Sequence, residues 1–261
     1  MKELLDFAIA TAKTAGDITL EYFGRRPKIE WKIDRTPVTQ ADKACEEKII
    51  ANIQKHYPDH AILGEEFGTI EGKSDFKWII DPIDGTKNFI RGIPMYGTLI
   101  GLEKSGECFL GVAYSPALKE LVYAAKGSGC FANGNRVAVS NIGVLDASLM
   151  LYGSFKAFDD GGWRNLFFWL AERTTDQRGY GDYYGYTLIA RGCGEFMLEA
   201  AVSPWDLAAI KIIVEEAGGR FTNFDGEATI YSPTAVASNG LVHDTVLDAI
   251  QKFKSGVKCE T

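Results

Sequence analysis

The segment Trp78-Ile79-Ile80-Asp81-Pro82-Ile83-Asp84-Gly85-Thr86 concentrates the residue types that handle a metal ion and a phosphate. Its apolar start reads as a buried strand that delivers Asp81 at its end, and Pro82, which has no N–H, stops further ladder pairing. Asp81 and Asp84 stand three residues apart across a turn, so both carboxylates can converge on one point. Gly85 lets the backbone approach closely, and Thr86 offers a hydroxyl and an N–H. Clustered hard oxygen donors suit Mg2+, while N–H groups at a turn or helix start suit a phosphate. An acidic turn closing a strand has a similar composition, because Asp and Gly dominate turns. The two aspartates alone do not separate these readings.

Other carboxylates stand in comparable settings. Gly64-Glu65-Glu66 follows the apolar run Ala61-Ile62-Leu63, so Glu65 can project from a strand end beside Asp81. Trp205-Asp206-Leu207-Ala208-Ala209 opens a strongly apolar helix that closes at Gly218-Gly219, where Asp206 could equally complement the helix macrodipole. Asp42 follows Thr39 by three residues, the pattern of a capping box. Each has a bland reading alone; the joint occurrence is specific. Two phosphate-loop resemblances fail. Gly72-Lys73-Ser74 lacks the earlier glycine of a P-loop, Phe67 standing in its place, and Gly179, Gly181 and Gly185 run one residue too long for a dinucleotide loop. His56, His60 and His243 stand apart from every motif and read as surface residues. Cys45, Cys108, Cys130, Cys193 and Cys259 are odd in number and scattered, the pattern of reduced thiols filling small apolar sites.

The periodicities supply the elements that must position these groups. Leu4, Leu5, Ala8, Ile9 and Ala12 share one face of a helix over 3–23, and a second helix spans 41–56, before Pro58. Short buried strands are expected at 61–63 and 78–80, and 98–140 reads as an antiparallel meander turning at Ser105-Gly106 and Asn133-Gly134. Farther on, strands near 148–152, 195–200, 219–222 and 235–238 alternate with helices near 163–172, 184–191, 206–217 and 243–254, an α/β arrangement. Asp159-Asp160-Gly161-Gly162 reads as an exposed loop. The change of rhythm divides the chain into an N-terminal α+β part, 1–143, carrying the meander and the candidate metal-binding motifs, and a C-terminal α/β part, 144–261, carrying Asp206. A net charge of −7 argues against nucleic acid or anionic membrane as a partner. A phosphate would then need a local positive charge, for which bound metal is the obvious source. No run reaches the ~18 apolar residues of a membrane span. Asp6 and Lys13 interrupt the apolar stretch near the N-terminus, so no targeting segment is expected and the protein should be cytoplasmic.

Taken together, the motifs resemble those of the inositol monophosphatase family, Mg2+-dependent and often lithium-sensitive phosphatases. Gly64-Glu65-Glu66, Asp81-Pro82-Ile83-Asp84-Gly85-Thr86 and Trp205-Asp206-Leu207-Ala208-Ala209 match in order. Pro37-Val38-Thr39-Gln40-Ala41-Asp42 and Gly127-Ser128-Gly129 through Asn133-Gly134 also fit. The resemblance covers nearly the whole chain. It implies an α/β (α+β) fold, a layered α/β/α/β/α sandwich like that of inositol monophosphatase and fructose-bisphosphatase, and a homodimer. It further implies two or three Mg2+ ions. Glu65, Asp81 and the Ile83 carbonyl would hold one; Asp81, Asp84 and Asp206 a second; Glu65 and water a weaker third. Thr86, supported by Asp42, would position the attacking water beside Glu65, and the Gly85 and Thr86 N–H groups would contact the phosphate. Such ions activate water, offset phosphoryl charge and stabilise the leaving alkoxide, so no covalent phosphoenzyme is needed.

Within the family, two segments resemble the histidinol-phosphate branch: Lys32-Ile33-Asp34-Arg35-Thr36-Pro37-Val38-Thr39 and Arg178-Gly179-Tyr180-Gly181-Asp182-Tyr183-Tyr184-Gly185-Tyr186. Asp182 stands where inositol phosphatases usually carry a small residue. Glu199 matches a position that contacts the substrate alcohol, and Asp84 and Asp206 complete the expected substrate contacts. Histidinol carries an ammonium and an imidazole, which acidic and aromatic partners suit. Tyr183, Tyr184 and Tyr186 also read as helix-packing residues, and Asp182 as the cap of a helix beginning near Tyr184. The reading is hydrolysis of histidinol phosphate, a step of histidine biosynthesis, with inositol 1-phosphate as the alternative substrate. A catalytically silent binding protein of the same fold is the non-enzyme alternative, and the presence of all four metal carboxylates speaks against it.

Overall fold

Ala8, Ala12 and Ala15 recur at helical spacing and are fully buried, so α1 (Lys2–Thr19) turns one face inward. Residues 1–25, 29–31 and 37–254 are described by the computed structural model; positions 32–36 of the first branch-like segment, and Cys259, lie outside the described residues. After the antiparallel pair β1 (Ile29–Trp31) and β2 (Pro37–Thr39) comes α2 (Gln40–His56), which buries Cys45, Ile49 and Ile53 at four-residue spacing. Its start is a true capping box: the Thr39 hydroxyl accepts from the Ala41 N–H at 3.1 Å, and Asp42 Oδ2 accepts from the Thr39 N–H at 2.8 Å.

Among the described residues the chain forms two compact units. The first comprises residues 1–136 with Asp182–Tyr184 and Trp205–Ile213. Asp206, expected from the C-terminal half, therefore clusters with the first unit. Its sheet has eight strands: β3 (Ala61–Gly64), β4 (Gly68–Ile70), β5 (Phe76–Asp84), β6 (Gly97–Lys104), β7 (Glu107–Ser115), β8 (Glu120–Ala125), β9 (Gly129–Ala132) and β10 (Asn135–Val137). The order is β10-β9-β8-β7-β6-β5-β3-β4, antiparallel from β5 through β9, with β3 parallel to β5. The meander turns fall where expected; both residues of Ser105-Gly106 and of Asn133-Gly134 have positive φ, as a two-residue hairpin turn demands. The buried faces of α1 and α2 meet Ile62, Trp78, Ile80, Ile100, Leu102, Leu110 and Val112 in one core.

The second unit comprises the remaining segments. Its sheet, ordered β12-β11-β13-β15-β14, holds β11 (Leu149–Tyr152), β12 (Asp176–Arg178), β13 (Phe196–Glu199), β14 (Arg220–Thr222) and β15 (Ala235–Ser238). β11 runs parallel to both β12 and β13, and the other pairings are antiparallel. Met150, Phe196, Leu198 and Val236 form its core with Phe158 of α4 (Phe155–Asp160), Leu166 and Leu170 of α5 (Arg164–Ala171) and Val246 and Ile250 of α8 (His243–Lys254). Two expectations are corrected here. Asp159 and Asp160 close α4 instead of lying in a loop, because Phe158 is buried and draws the segment onto the sheet. His243 is fully buried, not on the surface, its ring nitrogens facing the Thr222 hydroxyl at 3.0 Å and the Ser238 hydroxyl at 2.8 Å. The short β12 carries no apolar signal and was not expected. No helix among the described residues is long and apolar enough to cross a membrane.

Candidate active site

β5 does not end at Pro82. The ladder with β6 pairs Asp81 with Leu99, skips Pro82 and Ile83, and resumes at Asp84 opposite Gly97. The proline interrupts pairing as its missing N–H requires, but its carbonyl is satisfied sideways by the Thr98 hydroxyl at 2.9 Å, so the strand survives as an irregularity. The irregularity matters for chemistry. Residues three apart in a regular strand face opposite sides of a sheet. The skipped pair rotates Asp84 back toward Asp81, and both are buried. Asp81 Oδ1 accepts from the Ile83 N–H at 3.0 Å, which fixes its orientation.

The third carboxylate arrives on α7 (Pro204–Glu216), in whose first turn Asp206 lies. The cross-strand pair Gly101 and Gly111 explains how that helix comes so close. A Cβ on Gly101 would stand 2.7 Å from the Ala208 Cβ, and one on Gly111 would overlap the Ala209 carbonyl oxygen. The missing side chains let α7 rest on the sheet backbone. Carboxylate oxygens of Asp81, Asp84 and Asp206 then lie within 4.8 Å of one another. The Asp81 carboxyl is held well above the usual carboxylate range, first by burial and then by the charges of Glu65, Asp84 and Asp206. Carboxylates so close repel unless one is protonated or cations offset them. By donor type and number the group fits a hard divalent cation.

Beside this group stands a hydroxyl. Gly85 adopts a left-handed conformation, φ 86° and ψ 35°, and caps the single-turn helix α3 (Thr86–Phe89), where the first N–H groups have no acceptor within the helix. A Cβ there would also crowd the Met95 carbonyl at 3.0 Å and Asp182 Oδ2 at 3.2 Å. Thr86 Oγ1 donates to the Ile83 carbonyl at 2.9 Å and lies 3.4 Å from Asp42 Oδ1. The capping acid thus has a second face turned to the site. Burial pushes the Asp42 carboxyl up to about 6, against the lowering effect of the Thr39 hydrogen bonds, and Glu65 adds to the rise. Glu65 follows the end of β3, half-buried, and its charge is felt at both Asp42 and Asp81.

The two expected selectivity residues fall in different units, Asp182 in the first and Glu199 in the second. Asp182 is the first residue of α6 (Asp182–Ala190), not the cap of a later helix; Gly181 occupies the cap position without a side chain to bond. Asp182 itself takes φ 51°, and its Oδ2 accepts from Asn88 Nδ2 at 3.1 Å. Burial raises its carboxyl to about 6, with Lys87 opposing. The next residue, Tyr183, donates its N–H to Asp84 Oδ2. Glu199 Oε2 accepts from the Tyr186 hydroxyl at 3.0 Å. Tyr183 and Tyr186 are buried and Tyr184 half-buried, which suits the packing role read for these residues. Sequence reasoning missed Asn88 and Glu46. Asn88 follows Thr86 by two residues, and Glu46 follows Asp42 by one helical turn; helical spacing from a motif residue was the available signal for the second. The Lys73 and Ser74 N–H groups bond the Asp59 carbonyl at 2.8 and 3.0 Å, so that stretch is a turn and not a phosphate cradle.

Comparison with known proteins places these residues in a context. The family model described as inositol monophosphatase family matches residues 1–255. A protein of Mycobacterium tuberculosis (strain ATCC 25618 / H37Rv) named histidinol-phosphatase is 41% identical, the match covering 93% of this chain and 96% of that one. A Thermotoga maritima protein named fructose-1,6-bisphosphatase/inositol-1-monophosphatase is 37% identical over 95% of this chain and 96% of its own length. The solved structure of a Thermotoga maritima IMPase superposes with a TM-score of 0.89 at 36% identity, covering 98% of this chain and 99% of that one.

Proposed function

We propose that this chain, which belongs to the inositol monophosphatase family and is a phosphoric monoester hydrolase, hydrolyses histidinol phosphate to histidinol and inorganic phosphate. The observation that carries the hydrolytic reading is the convergence of Asp81, Asp84 and Asp206 beside the Thr86 hydroxyl and Asp42. The family is metal-dependent. Here Glu65, Asp81 and the Ile83 carbonyl would hold one Mg2+, and Asp81, Asp84 and Asp206 would hold a second, with Glu65 able to contribute to a weaker third. Bound Mg2+ supplies acidification of water, neutralisation of phosphoryl charge and stabilisation of the departing alkoxide.

The chain's own groups do the rest. Gly85 and Thr86 direct N–H groups at the phosphoryl oxygens, as a helix start favours. Thr86 Oγ1, oriented by the Ile83 carbonyl and Asp42, accepts a hydrogen bond from the attacking water opposite the ester oxygen, with Glu65 on its other side. Attack forms one P–O bond and breaks the ester P–O bond; one proton leaves the water, and one reaches the alcohol oxygen. Asp42, whose Oδ1 faces the Thr86 hydroxyl at 3.4 Å, helps to hold that hydroxyl in place.

Substrate choice rests on Asp182, whose carboxylate borders Gly85 within the first unit and offers an acidic partner to a cationic alcohol. The name and 41% identity of the Mycobacterium relative favour the same substrate. Inositol 1-phosphate is the second reading, favoured by the Thermotoga relative's name. We place the enzyme in the cytoplasm as a homodimer, the latter open to test by sedimentation. Phosphate release from histidinol phosphate, inositol 1-phosphate and fructose 1,6-bisphosphate, each titrated with Mg2+, decides the substrate. A kcat/KM for histidinol phosphate below that for inositol 1-phosphate would refute the first reading.

A further inference from the structure

We infer that Glu46 is a positioning residue, which through two backbone N–H groups fixes the turn that carries Glu65 and so sets the reach of that carboxylate toward Asp81. The inference rests on the phosphatase reading for its turnover readout only. Glu46 is fully buried on α2, one helical turn beyond Asp42. Its Oε2 accepts from the Glu66 N–H at 2.9 Å and its Oε1 from the Phe67 N–H at 3.1 Å. Glu65, Glu66 and Phe67 are the three residues that join β3 to β4, whose ladder runs to Gly64 opposite Gly68. A Cβ on Gly64 would overlap Glu46 Oε1, so the glycine keeps the path of the carboxylate open.

A buried carboxylate is expensive, and here both its oxygens are engaged by main-chain donors of one short link. The link is half-buried at Glu65 and Glu66 and exposed only at Phe67. Glu65 stands immediately before the first anchored peptide, so the bond to the Glu66 N–H fixes the peptide that leaves the Glu65 Cα; the Glu65 charge reaches both Asp81 and Asp42. One face of α2 therefore carries Asp42 toward Thr86 and, four residues on, Glu46 toward the Glu65 turn. The helix sets the hydroxyl and the carboxylate relative to each other as a unit.

The test uses the full-length chain with Glu46→Gln, Gly64→Ala, Glu46→Ala and the double variant Gly64→Ala/Glu46→Ala. Glutamine keeps the shape but has a single acceptor oxygen, so one of the two N–H groups loses its partner. Amide exchange at Glu66 and Phe67 is measured without metal, Mg2+ affinity by calorimetry, and kcat and KM at saturating Mg2+. In Glu46→Gln and Gly64→Ala we expect faster exchange at those amides and Mg2+ affinity or kcat lowered ~10- to 100-fold, the usual cost of losing a group that orients a metal ligand. KM for the ester should stay within about threefold, because the phosphate contacts lie elsewhere. The double variant should be no worse than Glu46→Ala, since the shortened side chain vacates the space that the new Cβ needs. Faster exchange and a lower melting temperature with wild-type Mg2+ affinity and kcat would overturn the inference and leave Glu46 a purely structural anchor. Should the wild-type chain turn over no phosphate monoester, the phosphatase reading fails, while exchange and Mg2+ affinity still judge Glu46.

Discussion

Asp182→Asn separates recognition from architecture with one atom exchanged. Asp182 sits at φ 51°, a conformation that asparagine tolerates at least as well as aspartate, so the backbone need not move. The Asn88 amide that donates to Asp182 Oδ2 at 3.1 Å can donate equally to an amide oxygen. The variant therefore removes the charge and little else. If that charge pairs with the ammonium of histidinol phosphate, its loss costs a charged hydrogen bond, about 1.5–3 kcal/mol. At about 1.4 kcal/mol per decade this lowers kcat/KM roughly 10- to 150-fold. Inositol 1-phosphate, whose alcohol is uncharged, should change by less than about threefold.

The assay is phosphate release from both esters at saturating Mg2+, beside thermal melting. Asp182→Ala is the companion variant. Alanine at a left-handed position costs about 1–2 kcal/mol and should lower the melting temperature, whereas Asp182→Asn should not. An equal loss on both esters would mean that Asp182 shapes the catalytic group through Asn88 and the Tyr183–Asp84 contact and not the substrate. No loss on either would remove it from recognition altogether.

Three further outcomes follow from the same geometry. In excess EDTA turnover should vanish and return with Mg2+; because burial and acidic neighbours raise the Asp81 carboxyl, protons compete with the cation there, so Mg2+ affinity measured by calorimetry should weaken as pH falls, and an affinity independent of pH would contradict this reading. Asp84→Asn should lower kcat at least ~100-fold with weaker Mg2+ binding, whereas Thr86→Ala should lower kcat comparably with Mg2+ affinity within about threefold; near wild-type kcat in both would dismantle the role assignment. Burial pulls the His243 imidazole from 6.5 down to about 4, so the unfolded chain binds a proton that the folded chain refuses. Its stabilising contribution is full above pH 6.5 and is lost as pH falls toward 4, on the order of 3 kcal/mol in all. Between pH 7.5 and 5 the melting temperature of wild type should therefore fall more than that of His243→Gln, and parallel curves would refute this.

What could be read from the sequence was what local backbone rules decide. The Thr39–Asp42 box and the Asn133-Gly134 turn follow from neighbouring residues alone, and both stand where expected. Asp81, Asp84 and Gly85 were legible because a strand end, a proline and a glycine announce a turn. How the turn resolves was not, since β5 resumes only through Gly97 and the Thr98 hydroxyl of the next strand. Glu46 in Glu46-Glu47-Lys48 looks like a solvated helix face, and its burial is decided by a missing side chain eighteen residues on, at Gly64. Gly101 reads as a weak spot in a strand until Ala208 arrives against it. His243 carries no mark of its environment either, because Thr222 and Ser238 reach it from separate strands. The groups assigned to the chemistry can thus be named one at a time, whereas the residues that hold them make sense only in pairs. Glu46 with Gly64, Gly101 with Ala208 and Asn88 with Asp182 are therefore the places where two substitutions should interact, and where effects of single changes should fail to add.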